Sequence, residues 1–273
     1  TAPPPPPPPP PPVATPVEQT PPLTQVAHVS FVDATDAAGL DFEHGLSGPT
    51  MGAMVAAGVA VGDYNADGWL DIYLVQGNSG TNRLFENRSQ AGGYQFVDVT
   101  DNAGVAGEIG DKASGPGFAD YDGDGDLDLI VGSVEDTPVR LFRNQGDGSF
   151  DDVTAAAGLG NIQRENSVGA TFGDYDQDGD LDLFIAHWTF TIGELPTGTT
   201  LHLWLNNGDG TFSDVSDESL ITGNSFEADF YYTLAATFAD IDSDGDMDLL
   251  VAADAGTSQV LINQGDMGGG LYT

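Results

Sequence analysis

The sequence predicts an all-β fold, a β-propeller of four-stranded antiparallel blades, and three observations carry that prediction. A nine-residue acidic element occurs four times, at 63–71, 120–128, 174–182 and 240–248, with spacings of 57, 54 and 66 residues. Each copy runs into an unbroken apolar segment, as in DYDGDGDLDLIVG at 120–132. A second signature, Phe-x-Asp-x-Thr or its Ser variant, alternates with the first at 31–35, 96–100, 150–154 and 212–216. Such repeats mark stacked supersecondary units that cannot bury their apolar faces alone.

Each unit reads as four short strands. Strand A is the small-residue run before the first Asp, at 59–62, 168–173 and 234–239. Strand B is the apolar run after the last Asp, at 72–75, 129–131, 183–186 and 249–252. Strand C carries Leu84-Phe85, Leu141-Phe142, Leu203-Trp204 or Leu261-Ile262, and strand D carries the Phe signature. Between C and D, stretches such as RLFRNQGDG and HLWLNNGDG are hairpin signals. Strand B is apolar at successive positions, so both its faces must be covered, as in radially stacked blades. Blade units fall at about 55–100, 116–154, 168–216 and 234–273 of a domain spanning 29–273. Residues 1–28 form a stalk or linker, in which Pro3 to Pro12 predict a polyproline II rod of roughly 30 Å.

Composition removes several functions. The chain has 43 acidic and 6 basic residues and a formal net charge of −37, so nucleic acid and anionic membrane are repelled. With 40% apolar residues it is not an acidic disordered chain. It has no cysteine, which excludes disulfides, thiolate metal sites and cysteine nucleophiles. No run approaches 18 apolar residues, so no helical membrane span is expected. A start at Thr1 without a signal-like segment is expected of a processed product and equally of a fragment.

The acidic element reads D-x-[DN]-x-D-G-x-x-D. Its candidate metal positions are Asp63, Asn65, Asp67, Trp69 and Asp71 in the first copy and Asp120, Asp122, Asp124, Asp126 and Asp128 in the second. The third supplies Asp174, Asp176, Asp178, Asp180 and Asp182, and the fourth Asp240, Asp242, Asp244, Asp246 and Asp248. Oxygen ligands on alternate residues, with Gly sixth for a sharp turn, suit a hard cation taking six to eight oxygens, so about four calcium ions are expected. Position 7 would contribute its backbone carbonyl. An EF-hand would need Glu at position 12, where Leu74, Val131, Ile185 and Val251 stand instead.

These loops resemble the FG-GAP or VCBS type repeats of integrin α-subunit propellers and many secreted bacterial proteins. The resemblance covers about residues 29–265 and implies that each loop joins strands A and B of a blade and holds calcium. Family propellers commonly have seven blades, whereas four loops occur here. The first loop departs at Asn65 and Trp69, which implies weaker binding there. At about 1 mM calcium and a dissociation constant near 10⁻⁴ M, each site would contribute about 1.4 kcal/mol, and four on the order of 5 kcal/mol. That rivals the whole stability of many domains and makes a secreted, extracellular or cell-surface location the natural expectation.

The strand count is offset. A D-type strand at 29–35 precedes the first unit, while the fourth unit has A, B and C but no D. The N-terminal strand is expected to complete the last blade, in cis to close a four-bladed ring or in a neighbouring subunit to build a homo-oligomer or filament. A third reading is a piece of a longer propeller.

No catalytic site is expected. His28, His44, His187 and His202 lack metal-ligand spacing, and His44 with Ser47 makes only a weak pair. Long connections at 40–57, 101–117, 187–200 and 217–233 lie on the face opposite the acidic loops, and Trp188, Phe190, Tyr231 and Tyr232 on them are candidate ligand-binding residues. Asn87-Arg88-Ser89 is a glycosylation sequon. The reading favours a calcium-stabilised adhesion or structural module. The alternative is a propeller that binds an extracellular protein, peptide or glycan.

Overall fold

The structure is a computed structural model and describes residues 30–45, 56–77, 80–90, 93–108, 111–135, 137–162, 166–188, 202–216, 233–253 and 258–265. Its strands fall into the four expected units. The first holds β1 (Val59–Gly62), β2 (Asp71–Leu74), β3 (Arg83–Asn87) and β4 (Phe96–Asp98). The second holds β5 (Ala113–Ala119), β6 (Asp128–Ser133), β7 (Arg140–Asn144) and β8 (Phe150–Asp152). The third holds β9 (Asn166–Gly173), β10 (Asp182–Trp188), β11 (Leu203–Asn206) and β12 (Phe212–Asp214), and the fourth β13 (Thr233–Ala239), β14 (Asp248–Ala253) and β15 (Gln259–Leu261). Within every unit, successive strands pair antiparallel. Among the described residues a single bridge, Ser133 to Ser167, joins the second and third sheets.

Sequence periodicity explains the packing. Along β6, Leu129 and Val131 face the first unit while Ile130 faces the third, so one strand feeds two cores. The core between the first two units contains Tyr73, Val75 and Leu84 against Leu129, Val131 and Phe142. Between the second and third, Ile130 and Leu141 meet Leu183, Ile185 and Trp204, and between the third and fourth, Phe184, Ala186 and Leu203 meet Leu249, Val251 and Leu261.

The A strands lie innermost, where successive sheets converge: β1 packs on β5, β5 on β9 and β9 on β13. Convergence explains their small residues. At Gly132, on β6 beside this inner row, an added Cβ would lie 2.2 Å from the Ser167 carbonyl oxygen and 2.8 Å from that of Ser114. Bulges in β5 and β9–β10 pairing, at Ser114/Gly117 and Ala186/His187, adjust the inner strands to this crowding.

The ends differ from the expectation. β1 and β13 do not pack as successive inner strands do, and Val59 and Val61 of β1 are 56% and 54% exposed. The described units therefore form an open arc, not a closed four-bladed ring. The chain divides after Asp33. Residues 30–33, expected as strand, are not in one, and Phe31 and Val32 are exposed. Helix α1 (Thr35–Ala38) begins where that strand was expected to end. Its N-terminal flank, Ala34, has φ −119° and ψ 9°, and the flank of α2 (Thr100–Ala103), Val99, has −119° and 8°. The sequences FVDATDAAG and FVDVTDNAG thus give the same turn, the second following β4.

Replacing Gly132 by Ala is expected to destabilise the protein by about 2 kcal/mol or more in urea unfolding, since backbone must shift. Gly93→Ala, where an added Cβ meets nothing within 4 Å, should change stability by under about 0.5 kcal/mol.

Candidate metal centres

The acidic elements are the A–B hairpin loops of all four units, since Gly62 pairs with Asp71, Ala119 with Asp128, Gly173 with Asp182 and Ala239 with Asp248. Their backbones share one winding. The sixth-position glycines, Gly68, Gly125, Gly179 and Gly245, have φ of 90°, 98°, 98° and 100°. At the fourth position Ala66, Gln177 and Ser243 take φ of 55° to 66°, a left-handed conformation costly for residues with a Cβ.

Side-chain bonds lock that winding. The first Asp accepts from the sixth N–H: Gly68 to Asp63 at 2.9 Å, Gly125 to Asp120 at 3.0 Å, Gly179 to Asp174 and Gly245 to Asp240 at 3.2 Å. The fifth, Asp67, Asp124, Asp178 or Asp244, accepts from the seventh N–H at 2.8 to 3.0 Å. The ninth is an anchor. One oxygen of Asp71, Asp128, Asp182 and Asp248 accepts from the second-position N–H of Tyr64, Tyr121, Tyr175 or Ile241, at 2.8 to 3.2 Å. The other accepts from the N–H of Asn87, Asn144, Asn206 or Asn263 at the end of strand C, at 2.7 to 2.8 Å.

What remains are oxygens pointing at one another. Carboxylate oxygens of Asp120, Asp122 and Asp128 all lie within 4.8 Å of one another, as do those of Asp174, Asp176 and Asp182 and of Asp240, Asp242 and Asp248. Each of these three clusters could hold a metal ion. In them Oδ1 of Asp120, Asp122 and Asp174 is buried and meets no hydrogen-bond donor. Buried, donor-starved carboxylate oxygens fit a hard divalent cation, which would supply the missing positive charge. Burial first, then neighbouring carboxylates, push Asp128 and Asp182 up to about 7 against the opposing pull of their two backbone N–H bonds, and Asp71 up to about 6. Burial also raises Asp122, Asp176 and Asp242, with repulsion from the fifth-position carboxylate adding to it.

The remaining predicted positions have other surroundings. The seventh-position side chains, Asp126, Asp180 and Asp246, sit against the C–D turn, where a Cβ on Gly146, Gly208 or Gly265 would lie 2.6, 2.7 or 2.9 Å from a carboxylate oxygen. In the first loop Trp69 and Ser89 replace this Asp–Gly pair together, and Trp69 is exposed. Asn65 keeps the third-position role, accepting from the Asp67 N–H at 3.1 Å.

The strand C asparagines were legible only as turn residues. Their side chains do more: Asn144 donates to the Tyr64 carbonyl at 2.8 Å, Asn206 to that of Tyr121 at 2.7 Å and Asn263 to that of Tyr175 at 2.7 Å. Each Asn therefore ties its own loop to the loop of the preceding unit. Tyr64 and Tyr121 add ring contacts with Phe150 and Phe212 of the next unit, at 5.7 and 5.6 Å between centroids.

Of the candidate ligand-binding aromatics, Trp188 ends β10 and is buried, its carbonyl accepting from Asn166 at 2.6 Å. A strand residue covered by packing presents little surface to a ligand. Phe190, Tyr231 and Tyr232 lie outside the described residues, as do His28 and Ser47. His187 and His202 are buried with ring centroids 4.8 Å apart, and burial followed by His187 lowers His202 well below the usual imidazole range.

Replacing Asn206 by Leu strands the Tyr121 and Leu181 carbonyls and is expected to cost about 2–4 kcal/mol in urea unfolding. Asn207→Ala, at the neighbouring exposed position, should cost under about 1 kcal/mol.

The FG-GAP-like repeat matches residues 63–131, 120–185 and 191–251. Human Cartilage acidic protein 1 is 30% identical over 172 residues, 58% of this chain and 23% of that protein. Its Xenopus tropicalis counterpart is 27% identical over 207 residues, 75% of this chain and 30% of that protein, so the chain spans less than a third of either relative. Among solved structures, an Agrocybe aegerita lectin described as recognising non-reducing terminal N-acetylglucosamine aligns over 80% of this chain and 51% of its own, with 19% identity and a TM-score of 0.45. The V. cholerae biofilm matrix protein Bap1 aligns over 78% and 38%, with 17% identity and a TM-score of 0.32. Three matched repeats, spanning both the acidic loops and the apolar strands that follow them, place this chain in the FG-GAP-like repeat family.

Proposed function

We propose that the chain is an extracellular structural or adhesion module, rigidified by about four calcium ions, that associates with its own kind through the ends of its blade array. The observation that carries the calcium reading is the set of buried, donor-starved oxygens of Asp120, Asp122 and Asp174, inside loops whose first, fifth and ninth aspartates hold the same backbone N–H groups in every unit. The donors are carboxylates, which favour calcium over softer metals. Sites on hairpin loops with dissociation constants near 10⁻⁴ M fill at extracellular calcium concentrations. Asp71, Asp128, Asp182 and Asp248 would hold the ion while anchoring strand C, so metal and fold reinforce each other. Among the described residues no helix is long and apolar enough to cross a membrane.

Thermal unfolding with and without calcium at two pH values tests this reading. Asp128 and Asp182, raised to about 7, keep protons in the metal-free fold that the unfolded chain has released above its ordinary value of about 3.9. The metal-free fold thus binds more protons than the unfolded chain between about pH 4 and 7, and its stability falls as pH rises through that window. Calcium replaces those protons. We expect 2 mM calcium to raise the melting temperature by roughly 10–20 °C over chelator at pH 7.5 and by much less at pH 5. Equal melting with calcium and chelator at pH 7.5 would remove the metal reading.

A further inference from the structure

The two ends of the blade array present faces whose equivalents are buried between successive units elsewhere. In the first three units a triplet on strands B and C is buried against the next unit: Tyr73, Val75 and Leu84, then Ile130, Gly132 and Leu141, then Phe184, Ala186 and Leu203. The equivalent triplet in the fourth unit is Leu250, Ala252 and Val260, with Val260 55% exposed. These residues help line an apolar groove of about 410 Å³. At the other end, Val59 pairs with Leu74 and Val61 with Ile72, so these four share one face. That face corresponds to the one by which Leu129 and Phe118 cover the first unit. Ile72 and Leu74 are half-buried, while both valines are exposed.

The backbone shows the same equivalence. An added Cβ on Gly39, which follows α1, would lie 3.1 Å from the Phe96 carbonyl of β4, and one on Gly104, which follows α2, would lie 3.3 Å from the Phe150 carbonyl of β8. Helix α1 therefore stands to the first unit as α2 stands to the second. What precedes α2 is β4, a D strand of the preceding unit. What precedes α1 is Phe31-Val32-Asp33, of the same sequence and outside any strand, while β15 lacks a D strand beside it among the described residues.

We infer that a second copy of this chain continues the array: its Val59–Val61 face covers Leu250 and Val260, and its Phe31–Val32 segment pairs with the edge of β15. This rests on the proposal of a self-associating module and specifies its interface. By the register of β3 with β4, where Asn87 faces Phe96 and Glu86 faces Val97, Asn263 of one copy faces Phe31 of the next and Ile262 faces Val32. A heterologous contact of this kind repeats head to tail. Main-chain pairing supplies affinity and the apolar face supplies fit.

The absence of native cysteine makes the register directly testable. The full chains carrying Val32→Cys alone and Ile262→Cys alone are mixed in 2 mM calcium and mildly oxidised, then separated on non-reducing gels. Cross-strand Cα separations near 5.5 Å suit a disulfide, so a linked dimer is expected from the mixture and a ladder from the double variant. Val32→Cys with Gln259→Cys, out of register, should stay unlinked. Val260→Asp, at an exposed position, should leave the monomer's melting unchanged and reduce linked dimer by roughly tenfold or more. An intramolecular disulfide in the double variant with none between the mixed singles would mean closure within one chain and overturn the inference. No disulfide in either would also overturn it, assigning the face to further repeats or another partner. The calcium reading fails separately: linkage that persists unchanged in chelator, with unchanged melting, removes calcium and leaves the interface standing.

Discussion

The structure depends on one interaction made four times, the ninth-position aspartate of each acidic loop holding two backbone N–H groups at once. Asp71, Asp128, Asp182 and Asp248 stand at the first residue of a B strand and are buried. One oxygen closes the A–B hairpin on itself, and the other fastens the end of strand C to that hairpin. A buried carboxylate doubly bonded to backbone would ordinarily be held low, yet at Asp71, Asp128 and Asp182 burial and the neighbouring aspartates overcome those bonds and raise it. The anchor is therefore strong in geometry and frustrated in charge. A divalent cation bound there would relieve that frustration without disturbing the hydrogen bonds, because each carboxylate oxygen has a second lone pair to offer.

Coupling between units follows from the same place. In the last three units the Asn that donates its backbone N–H to the ninth aspartate donates its side chain to the preceding loop, so each of the first three loops is braced by its own sheet and by the next. Gln177 extends the pattern by donating to Asp246 and to the Gly245 carbonyl of the following loop. Below the rim, the packed cores between B and C strands resist shear, and the converging A strands leave no room for side chains at Gly132. The described units pack in sequence from the first to the fourth, and the inner strands of the first and last do not pack on one another as successive ones do.

Much of this was legible from residues alone. Strand B could be read as covered on both faces because Leu129, Ile130 and Val131 are apolar in succession, and the loops could be read because D-x-D-x-D-G has few uses other than wrapping a hard cation. Ring closure was not legible: counting strands says that Phe31 needs a partner and β15 needs a strand, but gives no angle between successive sheets. Asn144 and Asn206 were visible as turn residues, and their reach of 80 and 85 residues to Tyr64 and Tyr121 depends on which loops the fold brings together. The burial of Trp188 was not legible, because aromatic residues near a long connection look exposed until the strand before it is seen to run through position 188.

The central claim is that the aspartate loops are metal sites with a graded order set by their donors. Native mass spectrometry of the calcium-loaded chain counts them directly. The account predicts four ions per chain in saturating calcium, three retained on dilution and one lost first, with Asp63→Asn removing that weakest ion and Asp120→Asn removing one of the other three. A chain that carries no calcium, or the same number of ions after Asp120→Asn, would contradict it.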